Sequence, residues 1–335
     1  MFSCFSCDSQ GTAPAKRSFI APGGPKTHGS TAGVLSSSTS VGGGLQHPAA
    51  VAFRSGNIGI TFSGAGFLLP YFIGVTEVLQ HLRVLRPGRS TPVAGSSAGS
   101  LVAVSIACGL SMTQMYDSFL DTVRDCRTNG SYRRLDVVLR RWLDSTLPPD
   151  AAERCSGVAT VAITRLFPRP RAETISTFTS REDLIAALMT SCHIPAYFNG
   201  ELTANFRGKT AIDGGVTSLM PRPTAPHDFL LKVCCLPRAQ VARLPIFNRR
   251  RMLEDLHLGI TPDAFGAWPY GLKDMLTAAL HPHSDDFIQT LLEAGRHDAT
   301  HWAHATGLAP PGLPLPPRPP MPPLVLGARA GPATA

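Results

Sequence analysis

Acidic residues are scarce in this chain, and their scarcity sets its charge. The 335 residues include 23 Asp and Glu against 31 Lys and Arg, which leaves a net charge of +8, although only 16% of the residues are charged. Such a balance favours anionic partners. The chain lacks the basic motifs interleaved with aromatic residues and the Cys/His spacing of nucleic-acid-binding domains. We therefore expect no nucleic-acid partner, and an anionic membrane or lipid surface fits the charge better.

A disulfide framework, a cluster of metal ligands and a secretory signal are missing as well. The eight cysteines show no framework spacing, and most lie in apolar runs such as residues 231–236, where a buried thiol in a strand is expected. A reducing compartment is therefore expected. No ligand spacing calls for a metal ion or another cofactor. No apolar segment follows the initiator methionine, so we do not expect secretion.

Uninterrupted apolar runs long enough to cross a membrane are also absent. The uncharged stretches 58–75 and 91–110 come closest, but each contains a Gly and Ser cluster where a strand should give way to a helix. Buried parallel strands are apolar throughout, which explains the hydropathy without a bilayer. The two stretches predict strands at 58–62 and 92–95 and helices at 67–82 and 101–109. The chain is therefore predicted to be an α/β protein.

Composition divides the chain into one domain and two tails. With 43% hydrophobic residues, the chain is long enough for one large domain with a substantial core, expected at residues 56–305. Residues 1–55 are rich in Ser, Gly, Ala and Thr and are predicted to be disordered, either as a plain flexible leader, as a transit peptide such as that of a chloroplast, or as an S-acylated segment. The proline-rich residues 306–335 are predicted to lie outside the fold.

Periodicity assigns the remaining elements. Helices are predicted at 112–126, within 127–157, at 180–192 and at 284–305, and strands at 158–166, 210–212 and 228–236. Ser111 and Ser180 precede two of these helices as N-caps. Residues 237–280 are predicted to be irregular. Their basic run 249–251, close to Leu244 and Phe247, is a hypothetical contact with a lipid surface.

The stretch Gly95-Ser96-Ser97-Ala98-Gly99 has the Gly-x-Ser-x-Gly pattern of a nucleophile on a tight turn between a strand and a helix. A serine at the tip of such a turn has a strained backbone and close neighbours, so that only glycine fits at positions 95 and 99. The positive end of the following helix favours an oxyanion there. Ser97 is therefore the predicted nucleophile.

A serine nucleophile needs amide donors for the developing oxyanion and a base for its proton. The turn after the first predicted strand contains Gly64, Ala65 and Gly66, whose small side chains leave amides bare at a helix start. This turn lies one strand and one helix before Ser97, so the two should be neighbours at the carboxyl ends of parallel strands. We therefore predict an oxyanion hole at residues 64–66.

The predicted base is Asp213, which ends an apolar run and precedes Gly214 and Gly215. An Asp-Gly pair by itself is more often a simple turn. Next to the other two segments, however, catalysis is the favoured interpretation, because a carboxylate in a partly desolvated cleft has a raised pKa and can take the proton of a serine hydroxyl without histidine.

In combination, the three motifs resemble the patatin-like phospholipase family of lipid acyl hydrolases, in their order and in their approximate separations, over residues 56–305. The resemblance implies a three-layer α/β/α domain with a mainly parallel central sheet. It implies Ser97 as nucleophile, Asp213 as its base, and Gly64, Ala65 and Gly66 as the oxyanion hole. The implied substrate is a lipid ester of an acylglycerol, phospholipid or galactolipid, met at a peripheral membrane or lipid-droplet surface, with a cytoplasmic or lipid-associated location. The segment 191–195 is similar to the family's small-residue segment beside the active site.

One departure from the family bears on the head group. The glycine-rich loop of the family commonly continues with a basic residue and a glycine, whereas this chain has Leu68 and Leu69. Members that act on neutral acylglycerols resemble this chain in that respect. The loss of a cation where a phosphate would sit favours acylglycerol over phospholipid, and it leaves acyl hydrolysis itself in place because the backbone donors remain.

Three alternatives compete with this interpretation. A Ser-His-Asp hydrolase needs several strands before its nucleophile, but only one strand and helix fit before Ser97. Its histidine could be His193, for which structural support is the expected role, or His281 or His283, which flank a proline. The other candidates are His297, His301 and His304 on the last predicted helix, where they are expected to be exposed. A dinucleotide site at 64–66 lacks the third glycine. A lipid-surface scaffold without activity is the non-enzymatic alternative.

Overall fold

The computed structural model describes residues 46–85, 91–243, 253–254 and 256–324. Its helices are α1 Pro48–Ser55, α2 Pro70–His81, α3 Ala98–Cys108, α4 Met112–Asn129, α5 Leu135–Thr146, α6 Ala151–Cys155, α7 Arg181–Ser191, α8 Arg238–Val241, α9 Leu272–Leu280 and α10 Asp285–Thr306. Its strands are β1 Ile58–Phe62, β2 Val93–Ser96, β3 Ala159–Arg165, β4 Arg171–Ile175, β5 Ala204–Phe206, β6 Lys209–Asp213 and β7 Phe229–Val233. Short 3-10 turns occur at Gly66–Leu68, Gly214–Val216 and Leu256–Leu258.

The strands of the described residues form a single mixed sheet in the order β5-β6-β3-β2-β1-β7, with β4 beside β3. Strands β7, β1, β2 and β3 are parallel, whereas β4 and β6 run antiparallel to β3. Every residue of β1, β3 and β7 is buried, as expected of strands covered on both faces. Helices flank the sheet. The predicted fold, an α/β/α domain with a mainly parallel sheet, is confirmed.

The two uncharged stretches are strand and helix pairs. Strand β1 has the predicted limits, and α2 begins only at Pro70, after a 3-10 turn, because proline at the first helical position cannot donate to a preceding carbonyl and needs no partner there. Helix α3 begins at Ala98, three residues before its predicted start and directly after Ser97. Within the residues that the structure describes, no helix is both long enough and apolar enough to span a bilayer.

Helix α1 corrects the predicted end of the leader. Residues 48–55 are helical and were expected to be irregular. His47 caps the helix by accepting from the amide of Ala49 at 3.2 Å, and Ala49 and Ala52 are fully or almost fully buried. An eight-residue helix offers too few periodic positions to be recognised in a segment rich in Ala and Gly. Residues 1–45 lie outside the described residues.

The proline-rich tail is also corrected, because residues 307–324 pack against the domain. The Arg318 side chain is only 18% exposed and lies 3.6 Å from the buried carboxylate of Asp298. The hydroxyl of Tyr270 donates to the carbonyl of Pro322. These contacts are made across long sequence separations, and proline content alone carries no information about them. Residues 325–335 lie outside the described part of the chain.

Helices α2 and α10 cross closely at two glycines. A Cβ at Gly74 would lie 2.0 Å from the carbonyl oxygen of Leu292, and one at Gly295 would lie 2.1 Å from that of Tyr71. This crossing buries His297, which is 3% exposed and hydrogen-bonded to Asp298 at 2.9 Å. The prediction of an exposed histidine is therefore wrong there. His304 is exposed, as predicted, whereas His301 is half-buried.

The region predicted to be irregular between 237 and 280 contains α8 and α9 in its described parts. Helix α9 matters for the site, since the carbonyl oxygen of Ala279 lies against Gly66. Residues 244–252, including the predicted lipid-contacting run 249–251, lie outside the described residues.

Candidate active site

Ser97 lies at the tip of the turn between β2 and α3, in the conformation φ 51° and ψ −132°. Positive φ is strained for a residue with a side chain and is found mainly where function requires it. The turn is closely packed: a Cβ at Gly95 would lie 2.2 Å from the carbonyl of Gly99, and one at Gly99 would lie 2.3 Å from the carbonyl oxygen of Ser63. Only glycine fits at these two positions, as the sequence motif requires.

Ser191, the last residue of α7, holds this turn in place. The Ser97 amide donates to the Ser191 hydroxyl at 2.9 Å, and that hydroxyl donates to the carbonyl of Ala162 in β3 at 2.7 Å. The Ser100 hydroxyl donates to the Ser97 carbonyl at 2.6 Å. No sequence motif predicts a role for Ser191. Its only signal was its place in the segment of small residues before Pro195.

The strand pairing on β3 brings Asp213, the predicted base, next to Ser97, the predicted nucleophile. Ala162 of β3 pairs with Ser96 of β2, and the next residue, Ile163, pairs with Asp213 of β6. Strands β2 and β6 therefore meet along one side of β3, β2 ending where β6 ends. Ser97 and Asp213, 116 positions apart in the sequence, become neighbours.

Asp213 is fixed by its own backbone contacts. Its amide donates to the carbonyl of His193 at 2.9 Å, and its carbonyl accepts from the Thr164 hydroxyl at 2.7 Å. A Cβ at Gly214 would lie 2.1 Å from the carbonyl oxygen of Ala162, so that glycine is required there. The amide of Gly215 donates to the Asp213 carboxylate at 2.7 Å.

Burial raises the pKa of Asp213 to about 6, while hydrogen bonds from the Ser97 hydroxyl and the Gly215 amide to the carboxylate act in the opposite direction. A carboxylate with a pKa close to neutral is suited to act as a general base. Beside the pair, burial strongly raises the pKa of the Cys192 thiol, and the charge of Asp213 raises it further. Cys192 is therefore a neutral thiol and a poor nucleophile.

The turn predicted to be an oxyanion hole lies next to the nucleophile. A Cβ at Gly64 would be 3.6 Å from the Cβ of Ser97. Neither the Gly64 amide nor the Ala65 amide donates to any other group of the described residues. Gly66 has φ +53°, and a Cβ there would lie 1.9 Å from the carbonyl oxygen of Ala279. Bare amides beside a serine hydroxyl can bind the oxyanion of a tetrahedral intermediate.

His193 has a structural environment. Its side chain is 2% exposed, its Nε2 lies 3.2 Å from the carbonyl oxygen of Glu201, and its ring packs edge-on against Phe198. Burial lowers its pKa. Its backbone carbonyl, in contrast, accepts from Asp213 and so helps to place the carboxylate. Among the described residues, no group of three His, Cys, Asp or Glu side chains could hold a metal ion.

A cleft of about 790 Å³, including its open mouth, begins at Ser97 and continues between α4 and α5. The side chains that line it are nearly all apolar. Those from the two helices are Met115, Phe119, Thr122, Leu135, Val138, Leu139 and Trp142. At the Ser97 end it is lined by Gly66, Phe67, Ala98, Cys192 and Tyr197 among others. The cleft can hold an apolar chain whose one end reaches the serine hydroxyl.

Comparison with known proteins places this arrangement in context. Residues 60–225 match the family model of the patatin-like phospholipases. The 1-acylglycerol-3-phosphate O-acyltransferase Pnpla3 of Mus musculus is 31% identical over 169 residues, which are 48% of this chain and 40% of that protein. The Omega-hydroxyceramide transacylase of Homo sapiens is 32% identical over 167 residues, 48% of this chain and 31% of that protein.

A third relative is the patatin-like phospholipase domain-containing protein 2 of Homo sapiens, 29% identical over 168 residues, which are 48% of this chain and 33% of that protein. The chain therefore matches less than half the length of these three relatives. The crystal structure of VipD from Legionella pneumophila superposes on 75% of this chain and 67% of its own, with 12% identity and a TM-score of 0.43.

Proposed function

Because the chain belongs, through residues 60–225, to the patatin-like phospholipase family, we propose that it hydrolyses lipid acyl esters with Ser97 as nucleophile and Asp213 as base. The observation that carries the proposal is the strand register that brings the strained turn of Ser97 next to Asp213, a buried carboxylate whose pKa burial raises to about 6. Nothing in the reaction requires a metal ion, since the base and the oxyanion donors are protein groups.

In the first half of the reaction, Asp213 takes the proton of the Ser97 hydroxyl as Oγ attacks the ester carbonyl. The amides of Gly64, Ala65 and Gly66 donate to the oxyanion of the tetrahedral intermediate. When the intermediate collapses, the alkoxide of the leaving alcohol takes the proton from Asp213. In the second half, Asp213 takes a proton from water, the hydroxide attacks the acyl-enzyme, and the proton returns to Ser97 as the fatty acid leaves.

The surroundings of the oxyanion turn favour an acylglycerol over a phospholipid. Leu68 and Leu69, which follow the glycines, are 0% and 4% exposed. A basic side chain is thus missing from the turn where it could pair with a phosphate. Two of the relatives are named an acyltransferase and a transacylase. Transfer of the acyl group to a lipid hydroxyl is therefore the second candidate, and it differs only in what attacks the acyl-enzyme.

Two exposed side chains beside the cleft support contact with a membrane or lipid-droplet surface. Tyr132 is 58% exposed, and its ring lies 5.8 Å from that of Tyr197, which lines the cleft. Leu276 is 42% exposed and lies one turn before Leu280, another lining residue. We propose that both insert into the lipid surface, so that the substrate enters without crossing water. The fraction of the protein that floats with a lipid emulsion should be smaller for the double variant Tyr132→Ser, Leu276→Ser than for the wild type.

A panel of triacylglycerol, diacylglycerol, phosphatidylcholine and galactolipid tests the activity. We expect release of fatty acid, greatest from the acylglycerols, and its loss in Ser97→Ala and Asp213→Asn. Ser145→Ala is the matched control, because the Ser145 hydroxyl donates only to the Trp142 carbonyl in its own helix. Labelling by a fluorophosphonate should vanish in Ser97→Ala, fall strongly in Asp213→Asn and stay unchanged in Ser145→Ala. Folded protein that is neither labelled nor active would establish the scaffold instead, and acyl transfer to added monoacylglycerol in place of fatty-acid release would establish the second candidate.

A further inference from the structure

The cleft beside Ser97 has a direction that can be read from the helices along it. Leu135, Val138, Leu139 and Trp142 line it from α5, and this spacing puts them on one face of the helix. Seven residues separate Leu135 from Trp142, a rise of about 10.5 Å. The side chain of Trp142 therefore lies about two helical turns from that of Leu135.

The Leu135 end of α5 is the end near the nucleophile. The amide of Arg133, just before α5, donates to the carbonyl of Tyr197 at 2.7 Å, and Tyr197 follows α7. At that same end of α7, Ser191 accepts from the Ser97 amide, and Cys192 lines the cleft with Ser97.

The Trp142 end of α5 is the end that lies far from Ser97. Arg181, the first residue of α7, donates to the carbonyl of Asp144 at 2.7 Å, and Glu182 accepts from Arg140 at 2.7 Å. The last turns of α5 thus lie beside the first turn of α7. Ten residues of α7, about 15 Å, separate that turn from Ser191.

The cleft offers an acyl chain no competing polar group along this path. The Thr122 hydroxyl donates to the carbonyl of Ser118 at 3.1 Å, and the Tyr197 hydroxyl donates to the carbonyl of Leu280. The Cys192 thiol is neutral because burial raises its pKa. Apolar contact is therefore what remains for a ligand to make between Ser97 and Trp142.

We infer that the indole of Trp142 forms the far end of the acyl cleft and sets the length of acyl chain that the enzyme prefers. The inference rests on the proposed function. An extended chain advances about 1.25 Å per carbon, given C–C bonds near 1.5 Å, so the 10.5 Å of α5 accommodates about eight carbons. Longer chains must displace the indole or bend back, and medium chains are preferred over long ones.

Truncation of the indole tests this preference. With p-nitrophenyl octanoate and palmitate as substrates, Trp142→Ala should raise the palmitate-to-octanoate ratio of kcat/KM about fifteenfold, the gain from burying two further methylenes. Trp142→Leu, which keeps more of the packing, should raise the ratio less and guards against a fold defect, with thermal melting as the check. Val137→Ala is the matched control on the same helix, because Val137 is 51% exposed; its ratio should be that of the wild type.

Tryptophan fluorescence gives a readout that does not depend on catalysis. The chain has three tryptophans, so the difference between wild type and Trp142→Phe reports Trp142. Decanoic acid brominated at its terminal carbon should quench this component at least threefold more than decanoic acid brominated next to the carboxyl group. Equal quenching by the two, or stronger quenching by the second, would overturn the inference.

The two readouts separate the inference from the function on which it rests. Ser97-dependent hydrolysis with an unchanged chain-length ratio in Trp142→Ala would overturn the inference and leave the proposed function standing. Selective quenching of Trp142 by the terminal bromine, without hydrolysis of any ester, would overturn the function and support the direction of the cleft.

Discussion

The Ser97 amide donates to the Ser191 hydroxyl at 2.9 Å, and through it the nucleophile turn is tied to the central strand of the sheet. The same hydroxyl donates to the carbonyl of Ala162 at 2.7 Å, and the residue after Ala162 pairs with Asp213. One buried side chain thus fixes the proposed nucleophile relative to its proposed base. The strained φ of 51° at Ser97 persists because the surrounding groups determine it.

Ser191→Ala should therefore impair catalysis more than substrate binding. Without the hydroxyl, the Ser97 amide and the Ala162 carbonyl both lose a buried partner, at a cost of about 1–3 kcal/mol. We expect kcat to fall at least tenfold with KM within about twofold, measured on a soluble ester. Thr190→Ala is the matched control, because the Thr190 hydroxyl donates only to Ala186 in its own helix. A control variant as impaired as Ser191→Ala would show that the effect comes from α7 as a whole.

The pH dependence of activity should follow the Asp213 carboxyl. Its pKa is about 6 in the folded protein, against about 3.9 for an exposed aspartate, and only the ionised form accepts the Ser97 proton. We expect kcat/KM to be constant above pH 7 and to fall tenfold per unit below about pH 6, because protonation removes the base. An inflection near pH 4 would mean that the carboxyl is solvated in the active enzyme.

His193→Ala separates the dyad from a triad, because an imidazole also titrates near pH 6. The ring contacts Glu201 and Phe198, and Asp213 is held by the His193 backbone, which the substitution leaves in place. We expect a loss of about 1–3 kcal/mol in the free energy of unfolding, with kcat reduced less than tenfold and the same inflection in the pH profile. Complete inactivation of the folded variant would contradict the dyad, and circular dichroism with a thermal melt provides the folding check.

Arg318→Ala should destabilise the domain although it lies in the proline-rich tail. The guanidinium faces the carboxylate of Asp298, which is fully buried and accepts from the Tyr71 hydroxyl at 2.9 Å. Removal of one partner of a buried ion pair leaves the other charge uncompensated and costs about 3–5 kcal/mol. Urea denaturation should show this loss, and Arg318→Ala added to Asp298→Asn should cost less than it does alone. Arg169 is exposed, so Arg169→Ala should leave the urea midpoint of unfolding unchanged. An equal loss of stability in Arg169→Ala and Arg318→Ala would refute the role of the tail.

The parts of the site that the sequence predicts are those that local backbone geometry demands. Gly95 and Gly99 are required because a Cβ would enter a neighbouring carbonyl, and such requirements leave a recognisable pattern within five residues. Strands β1 and β7 can equally be predicted from the sequence. Both are buried on both faces, so their residues are apolar or uncharged except for Lys232. The roles of Ser97, Asp213 and the turn at 64–66 remain predictions, and the structure supports them by bringing the three segments together.

Contacts between distant segments escape this kind of prediction. Ser191 is one small residue among many, and its position against Ser97 depends on how α7 packs over β3. The tail is rich in proline, and no pattern in its sequence predicts the contact of Arg318 with Asp298.

The sequence by itself therefore determined the candidate reacting groups, since a nucleophile turn and a bare amide turn need particular residues at particular local spacings. The tertiary structure alone decided how those groups are held, how far burial raises the pKa of Asp213 and which helices line the cleft beside Ser97. The reason is physical: burial, hydrogen-bond partners and cavity walls are properties of groups that come together only when the sheet and its helices have packed.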